Sequence, residues 1–121
     1  MMPREAPQQA QARLCMEVCR TCHEVCLSMA MVHCLELGGR HVEPEHFRLM
    51  MSCAWLCDTM ADFIASQSPF AEQLARLCAE VCEACADSCE EVGQMADCVQ
   101  ACRQVVQQCR HVSGGAMPME G

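Results

Sequence analysis

The chain is short of the residues from which ordinary cores are built. It contains no tyrosine, one tryptophan and three phenylalanines in 121 residues. Leucine, isoleucine, valine and phenylalanine together number only 22. In an ordinary chain so little apolar mass points to disorder, because too little surface is buried to offset the entropy of ordering. Basic residues are scarce too, 8 against 16 acidic ones for a formal charge of −8, which excludes the basic patches a nucleic-acid binder needs. No run is long and apolar enough to span a bilayer, and Met1 to Arg13 has no apolar export segment, so the expectation is a cytoplasmic protein without a membrane partner. No stretch alternates like a strand. No nucleophile–base pair, phosphate loop or paired acid stands out, so the chain does not read as an enzyme.

What the chain has instead is sulfur, with 14 cysteines and 11 methionines. Free cysteine behaves as a small buried hydrophobe and methionine as an adaptable filler, so a sulfur-rich core can fold. The cysteines are ordered. Cys15, Cys19, Cys22 and Cys26 follow a 4, 3, 4 spacing, and Cys78, Cys82, Cys85 and Cys89 repeat it. On a helix each set stays within a stripe about 60° wide. Residues 12–26 and 75–89 agree at 9 of 15 positions, which suggests a duplicated helical hairpin. Disulfides are not the expectation, since cysteines at i and i+4 lie side by side on a helix with Cα atoms about 6 Å apart and rarely bond without distorting it.

Punctuation by proline and glycine gives four helices at about residues 8–37, 44–65, 69–92 and 94–112. Pro44 and Pro69 suit first-turn positions, Ser68 an N-cap, and Gly38-Gly39 and Gly93 helix ends. The fold class expected is all-α, an antiparallel up-down-up-down four-helix bundle with cysteines lining the core. Residues 1–112 form that single domain, and 113–121 a flexible tail in which Met117 and Met119 carry no assigned role.

On helical wheels the sulfur faces inward on every helix. Met29 and His33 continue the first stripe, while Cys34 falls on its flank. The second helix presents His46, Met50, Cys53, Cys57, Met60 and Ile64. The fourth presents Met95, Cys98, Cys102, Val105 and Cys109. Val18, Val25 and Val32 form a separate flank suited to a neighbouring helix or another subunit. His23, His41 and His111 read as surface residues, and Met60 as core.

Thiolate and thioether select Cu(I), zinc and iron–sulfur clusters. Zinc held by four thiolates is doubly negative, and several such sites would bury a large uncompensated charge. One Cu(I) per thiolate is neutral. Cu(I) also accepts two or three bridging sulfurs, which parallel stripes supply, whereas zinc motifs usually wrap the metal in turns. The expected cofactor is therefore Cu(I), with a capacity of about a dozen ions per chain. At the end where the first helix finishes, Met29, His33, His46, Met50 and Met95 replace cysteine and suggest a mouth. Zinc or iron–sulfur binding and thiol redox sensing are the alternative readings. The Cys19-Arg20-Thr21-Cys22-His23 segment matches the haem attachment pattern, but both thiols belong to the longer stripe. Thioredoxin chemistry lacks its βαβ setting. A di-iron site built on Glu43 and His46 lacks its second Glu-x-x-His.

These spacings, with Cys53-x3-Cys57 and Cys98-x3-Cys102 plus Cys109, resemble the bacterial copper storage proteins over about residues 8–112. The resemblance implies a homotetramer of four-helix bundles of the cytosolic type, with Cu(I) held inside each bundle by pairs of thiolates. It implies that the inward cysteines are ligands, namely Cys15, Cys19, Cys22, Cys26, Cys53, Cys57, Cys78, Cys82, Cys85, Cys89, Cys98, Cys102 and Cys109. Cys34 is included in the candidate set although it leaves the stripe, and His33, His46 and Met50 are added at the mouth. Copper homeostasis, with a copper donor or acceptor protein as a partner, follows from the same resemblance.

Overall fold

The computed structural model describes residues 6–115. Four helical rods pack into a bundle, and among the described residues there are no strands. The first rod, α1, is α-helical over Pro7–Ser28, π-helical over Met29–Cys34 and α-helical again over Leu35–Leu37. Proline at its first position costs no hydrogen bond there. Gly38 ends the rod with φ 67°, a left-handed conformation that suits glycine, and its N–H donates to the Cys34 carbonyl at 2.9 Å. A 3-10 turn over Gly39–Val42 leads to α2, Pro44–Ala65, which again opens on proline. Next come α3, Ala71–Val92, and α4, Ala96–Arg110, which runs on as a π turn over His111–Gly115. α1 packs on α2 and α4, and α3 packs on the same two, so α1 and α3 lie on a diagonal.

Three boundaries differ from the sequence expectation. α3 begins at Ala71 rather than Pro69, because Ser68 serves the preceding turn. Its carbonyl accepts from Ala71 N–H at 3.1 Å and its hydroxyl from Phe70 N–H at 3.1 Å. α4 begins two residues later than expected, since Gly93 and Gln94 both adopt positive φ, 88° and 58°, and lengthen the break. Residues 113–115 are helical rather than the start of a tail, and Arg76 donates to the Ser113 carbonyl at 3.3 Å. Met117 and Met119 lie outside the described residues.

The core contains no leucine, isoleucine, phenylalanine or tryptophan among the described residues. It consists of all fourteen cysteines, seven alanines, four methionines, Val105 and Val106. Each stripe cysteine is fully buried. The alanines are small enough to let the helices approach until their thiols meet. The larger apolar side chains lie on the outer flanks, where Val18, Val25, Leu49 and Leu56 pack against the sulfur column while staying partly exposed. Ion pairs such as Arg20 with Asp58 and Asp62, or Arg103 with Asp87 and Glu90, sit on the surface. Exposed pairs of this kind contribute little to stability.

Candidate metal centre

The stripes of α1 and α3 meet those of α2 and α4 along the bundle axis, and they meet in antiparallel register. Cys22 lies 3.9 Å from Cys53, Cys26 lies 3.5 Å from Cys98, and Cys53 lies 3.4 Å from Cys82. Three sets of thiols converge closely enough to hold metal. Cys22, Cys53, Cys57 and Cys82 form one set, Cys22, Cys26, Cys53 and Cys102 a second, and Cys15, Cys19 and Cys109 a third. Within each set the sulfurs lie within 4.8 Å of one another. Cys22 and Cys53 belong to both four-sulfur sets, so the sets are fused rather than separate. Cys78 joins the column 4.0 Å from Cys82. Cys85 and Cys89 are fully buried as well. All fourteen cysteines are free thiols.

The expected mouth is corrected in two places. A strict α-helix would carry Cys34 about 80° off the line of Cys26, because two steps of four residues each overshoot a turn by about 40°. The π-helical segment Met29–Cys34 takes up one extra residue and cancels that drift. The stripe therefore continues from Cys26 through Ala30 to Cys34, both fully buried. Met29 and His33, expected inward, are turned toward the flank and only half-buried. His33 Nε2 instead meets the Gln94 carbonyl at 2.7 Å. The sequence carries no sign of the π turn, since periodicity assumes one helical geometry throughout. Ile64, the last residue of the expected α2 stripe, is half-buried rather than fully inward.

Two histidines expected at the surface are held by backbone. His41 is 8% exposed, its Nε2 is 3.0 Å from the Gly93 carbonyl, and its ring meets that of His33 edge-on at 5.7 Å. His23 Nδ1 lies 2.7 Å from the Ala54 carbonyl. His23 lies on the flank of α1, and His41 lies in the 3-10 turn, where no wheel applies. His111 is exposed, as expected. His46 is 5% exposed, and its Nδ1 lies 2.7 Å from Ser88 Oγ. Its buried Nε2 has no hydrogen-bond partner among the described residues. Burial lowers its pKa, which keeps the imidazole neutral and Nε2 available as a ligand. Met50 is fully buried beside Cys34, with its Sδ 3.7 Å from the thiol. Met60 is fully buried core.

Proton sharing orders the thiols electrostatically. Hydrogen bonds from Cys109 and then Cys19 hold Cys15 low, at about 4. Cys53 is lowered by donation from Cys102, Cys22 and Cys26. Cys26, although it donates to Cys53, is itself lowered by Cys102 and then Cys22, whereas Cys22, Cys82, Cys85, Cys98 and Cys109 are raised. Burial raises Cys34 to about 11. A minority of thiolates, each cradled by thiols, is the state that limits buried charge without metal. Each Cu(I) that displaces a proton leaves the charge unchanged.

This arrangement predicts an alkaline limit for the metal-free protein. A raised thiol is protonated in the fold and ionises on unfolding. Its stabilisation is complete below the ordinary thiol value of 9.0 and disappears as pH rises through the folded value, about 11 for Cys34. Over that window the lowered thiols are ionised in both states and contribute no slope. The melting temperature of the reduced, metal-free chain, followed by circular dichroism, is expected to fall steadily from pH 9 to pH 11. A flat profile would show that Cys34 is not held protonated.

Among the described residues no helix is long and apolar enough to cross a membrane. A family model described as Csp, copper storage protein, matches residues 8–114. A crystal structure of a protein from Nitrosospira multiformis superposes with a TM-score of 0.85 at 47% identity, over 87% of this chain and 96% of that one. The Cu(I)-bound copper storage protein BsCsp3 superposes with a TM-score of 0.79 at 30% identity, over 85% of this chain and 98% of that one. An uncharacterized cysteine-rich protein of Bacillus subtilis, YhjQ, is 32% identical over 69 residues, 57% of this chain. That match spans 63% of the relative's length.

Proposed function

The chain belongs to the copper storage protein family, and from that premise we propose that it is a non-catalytic store that holds many Cu(I) ions on the thiolates of its bundle core. The observation that carries this reading is a core of fourteen buried free thiols, nine of which converge in three sets, two of them fused through Cys22 and Cys53. Isolated zinc sites need separate tetrahedra of four ligands. Here Cys22 and Cys53 are shared between neighbouring sets, which suits bridging Cu(I)–thiolate clusters and crowds separate doubly charged ions. The proposed ligands are the fourteen cysteines, with His46 and Met50 at the mouth. His33, bound to a backbone carbonyl, takes an outer position beside them. The bundle over residues 1–112 acts as one storage unit.

The reading extends to the cell. Fourteen unpaired thiols fit the reducing cytoplasm. A homotetramer is supported by apolar side chains left outside the bundle, with Met31 46%, Val32 53% and Leu35 55% exposed along one stretch of α1. Copper reaches and leaves the mouth by exchange with a donor or acceptor protein, which keeps free Cu(I) out of water.

An anaerobic titration of the reduced full chain with Cu(I), against a competing chelator and with zinc in parallel, tests the reading. Uptake of about a dozen Cu(I) per chain is expected, with zinc unable to match it. Saturation at only a few ions, or tighter binding of zinc, would replace storage by discrete structural sites.

A further inference from the structure

Three thiols stand apart from the rest of the column. Cys15 and Cys19 of α1 and Cys109 of α4 lie within 4.8 Å of one another, and all are fully buried. They share no sulfur with the two fused four-thiol sets. Cys78 of α3 belongs to none of the three sets. The trio sits at the end of the bundle where α1 begins and α4 finishes, away from the turns at Gly38 and Gly93. One helical turn before Cys15, the side-chain amide of Gln11 donates to that of Gln108, and both residues are half-buried. A neutral hydrogen-bonding pair thus bridges α1 and α4 just beyond the trio.

Charge and coordination number decide what such a trio can hold. Burial costs least when the bound species leaves no net charge. On three thiolates a single monovalent ion leaves two negative charges and a divalent ion leaves one. A single trivalent centre leaves none. Trivalent arsenic and antimony are soft, as thiolate is, and they bind three sulfurs in a pyramid whose apex is a lone pair. A fourth sulfur inside the set would meet that lone pair. This handicaps the set of Cys22, Cys26, Cys53 and Cys102, where every thiol lies within 4.8 Å of the others, and spares the trio. The hydroxides of these elements, such as arsenous acid, are uncharged at neutral pH. The chain's charge of −8 repels oxyanions but not a neutral trihydroxide. The hydroxyl groups of that solute match the amide donors and acceptors of Gln11 and Gln108.

We propose that Cys15, Cys19 and Cys109 form a site for one trivalent metalloid, arsenic(III) or its heavier congener antimony(III), taken up as the neutral trihydroxide, so that the chain sequesters a metalloid as well as copper. Three S–H and three As–OH bonds break, three As–S bonds form, and each thiol proton leaves with a hydroxide as water. Arsenic stays trivalent and no electron is transferred. An occupied trio withdraws three thiolates from copper, so the two cargoes compete at this end of the column and nowhere else. This second cargo goes beyond copper storage and does not depend on it.

The probe is arsenous acid, added anaerobically to the reduced, metal-free full chain. One tightly held arsenic per chain is expected, with three As–S bonds and no As–O bond by X-ray absorption. Cys15→Ser and Cys109→Ser are each expected to weaken binding by at least about tenfold, the loss that even a residue supporting a metal ligand brings, and to leave an oxygen on arsenic. Cys98→Ser replaces a buried thiol outside all three sets and is expected to bind as the parent does. Arsenic loading of the parent is expected to lower its Cu(I) capacity by about three ions. Where a serine variant loses its helical circular dichroism, the parent's own sulfur count and its loss of copper capacity decide. No binding by the parent, several arsenic atoms per chain with two As–S bonds each, or equal weakening by all three substitutions overturns the metalloid site and leaves copper storage standing. One arsenic on three sulfurs in a chain that takes up only a few Cu(I) supports the metalloid site and overturns the storage reading alone.

Discussion

Loading the reduced chain with Cu(I) is expected to raise its melting temperature by about 20 °C or more. The reason is the composition of the core. No buried leucine, isoleucine or phenylalanine is present among the described residues, and the inner column consists of cysteine, alanine and methionine. Alanine and cysteine bury little area each, so the transfer free energy available per residue is small. The metal-free bundle therefore belongs at the low end of the range for small domains, about 5–15 kcal/mol in total. Each ion that binds the fold but not the unfolded chain adds about 4 kcal/mol at a thousandfold excess over its dissociation constant. Unfolded thiols also bind copper, which reduces the gain per ion, but several ions bridging two or three helices each act together. Parallel thermal melts of the metal-free, copper-loaded and chelator-stripped protein, under reducing anaerobic conditions, measure the effect. Stripping is expected to restore the lower value. Equal melting temperatures in all three states would mean that copper does not link the helices, and that packing alone holds the bundle.

The alternation of cysteine spacing made most of this architecture legible from sequence. The 4, 3, 4 intervals in α1 and α3 keep a narrow stripe on an α-helix, and the structure buries every thiol of both stripes. The four-helix fold followed because proline and glycine mark its turns. The mouth was less legible, for a physical reason. Periodicity translates position into direction only while the helical geometry is constant, and the π segment Met29–Cys34 changes it. Cys34 was therefore expected on the flank and is fully buried, while His33 was expected inward and binds the Gln94 carbonyl. His41 shows a second limit. It lies in a 3-10 turn, where no wheel applies, and its burial comes from the Gly93 carbonyl brought over it by the α3–α4 turn. Both failures fall at the end of the bundle where copper exchange is proposed.

Replacing Cys53 with alanine is expected to cost more copper than replacing Cys98, although both thiols are fully buried. Cys53 Sγ lies 3.9 Å from Cys22, 4.0 Å from Cys26, 3.4 Å from Cys82 and 3.6 Å from Cys102. It serves both four-sulfur sets, whereas Cys98, 3.5 Å from Cys26, serves neither. A thiolate that bridges is a ligand to more than one ion, and its loss leaves each of those ions short of a donor. Cys53→Ala is expected to lower capacity by about two Cu(I) per chain and Cys98→Ala by about one, with the difference arising from coupling between neighbouring sites. Stability separates the two effects. Either substitution removes one buried sulfur, a loss of about 1 kcal/mol of packing in the metal-free fold, so the gap between the two melting temperatures should widen when copper is bound. Cu(I) titration and thermal melts on the two variants and the parent provide both readings. Equal losses of copper would mean that the thiols act one by one, each holding its own ion, and that the fused geometry at Cys22 and Cys53 has no consequence for storage.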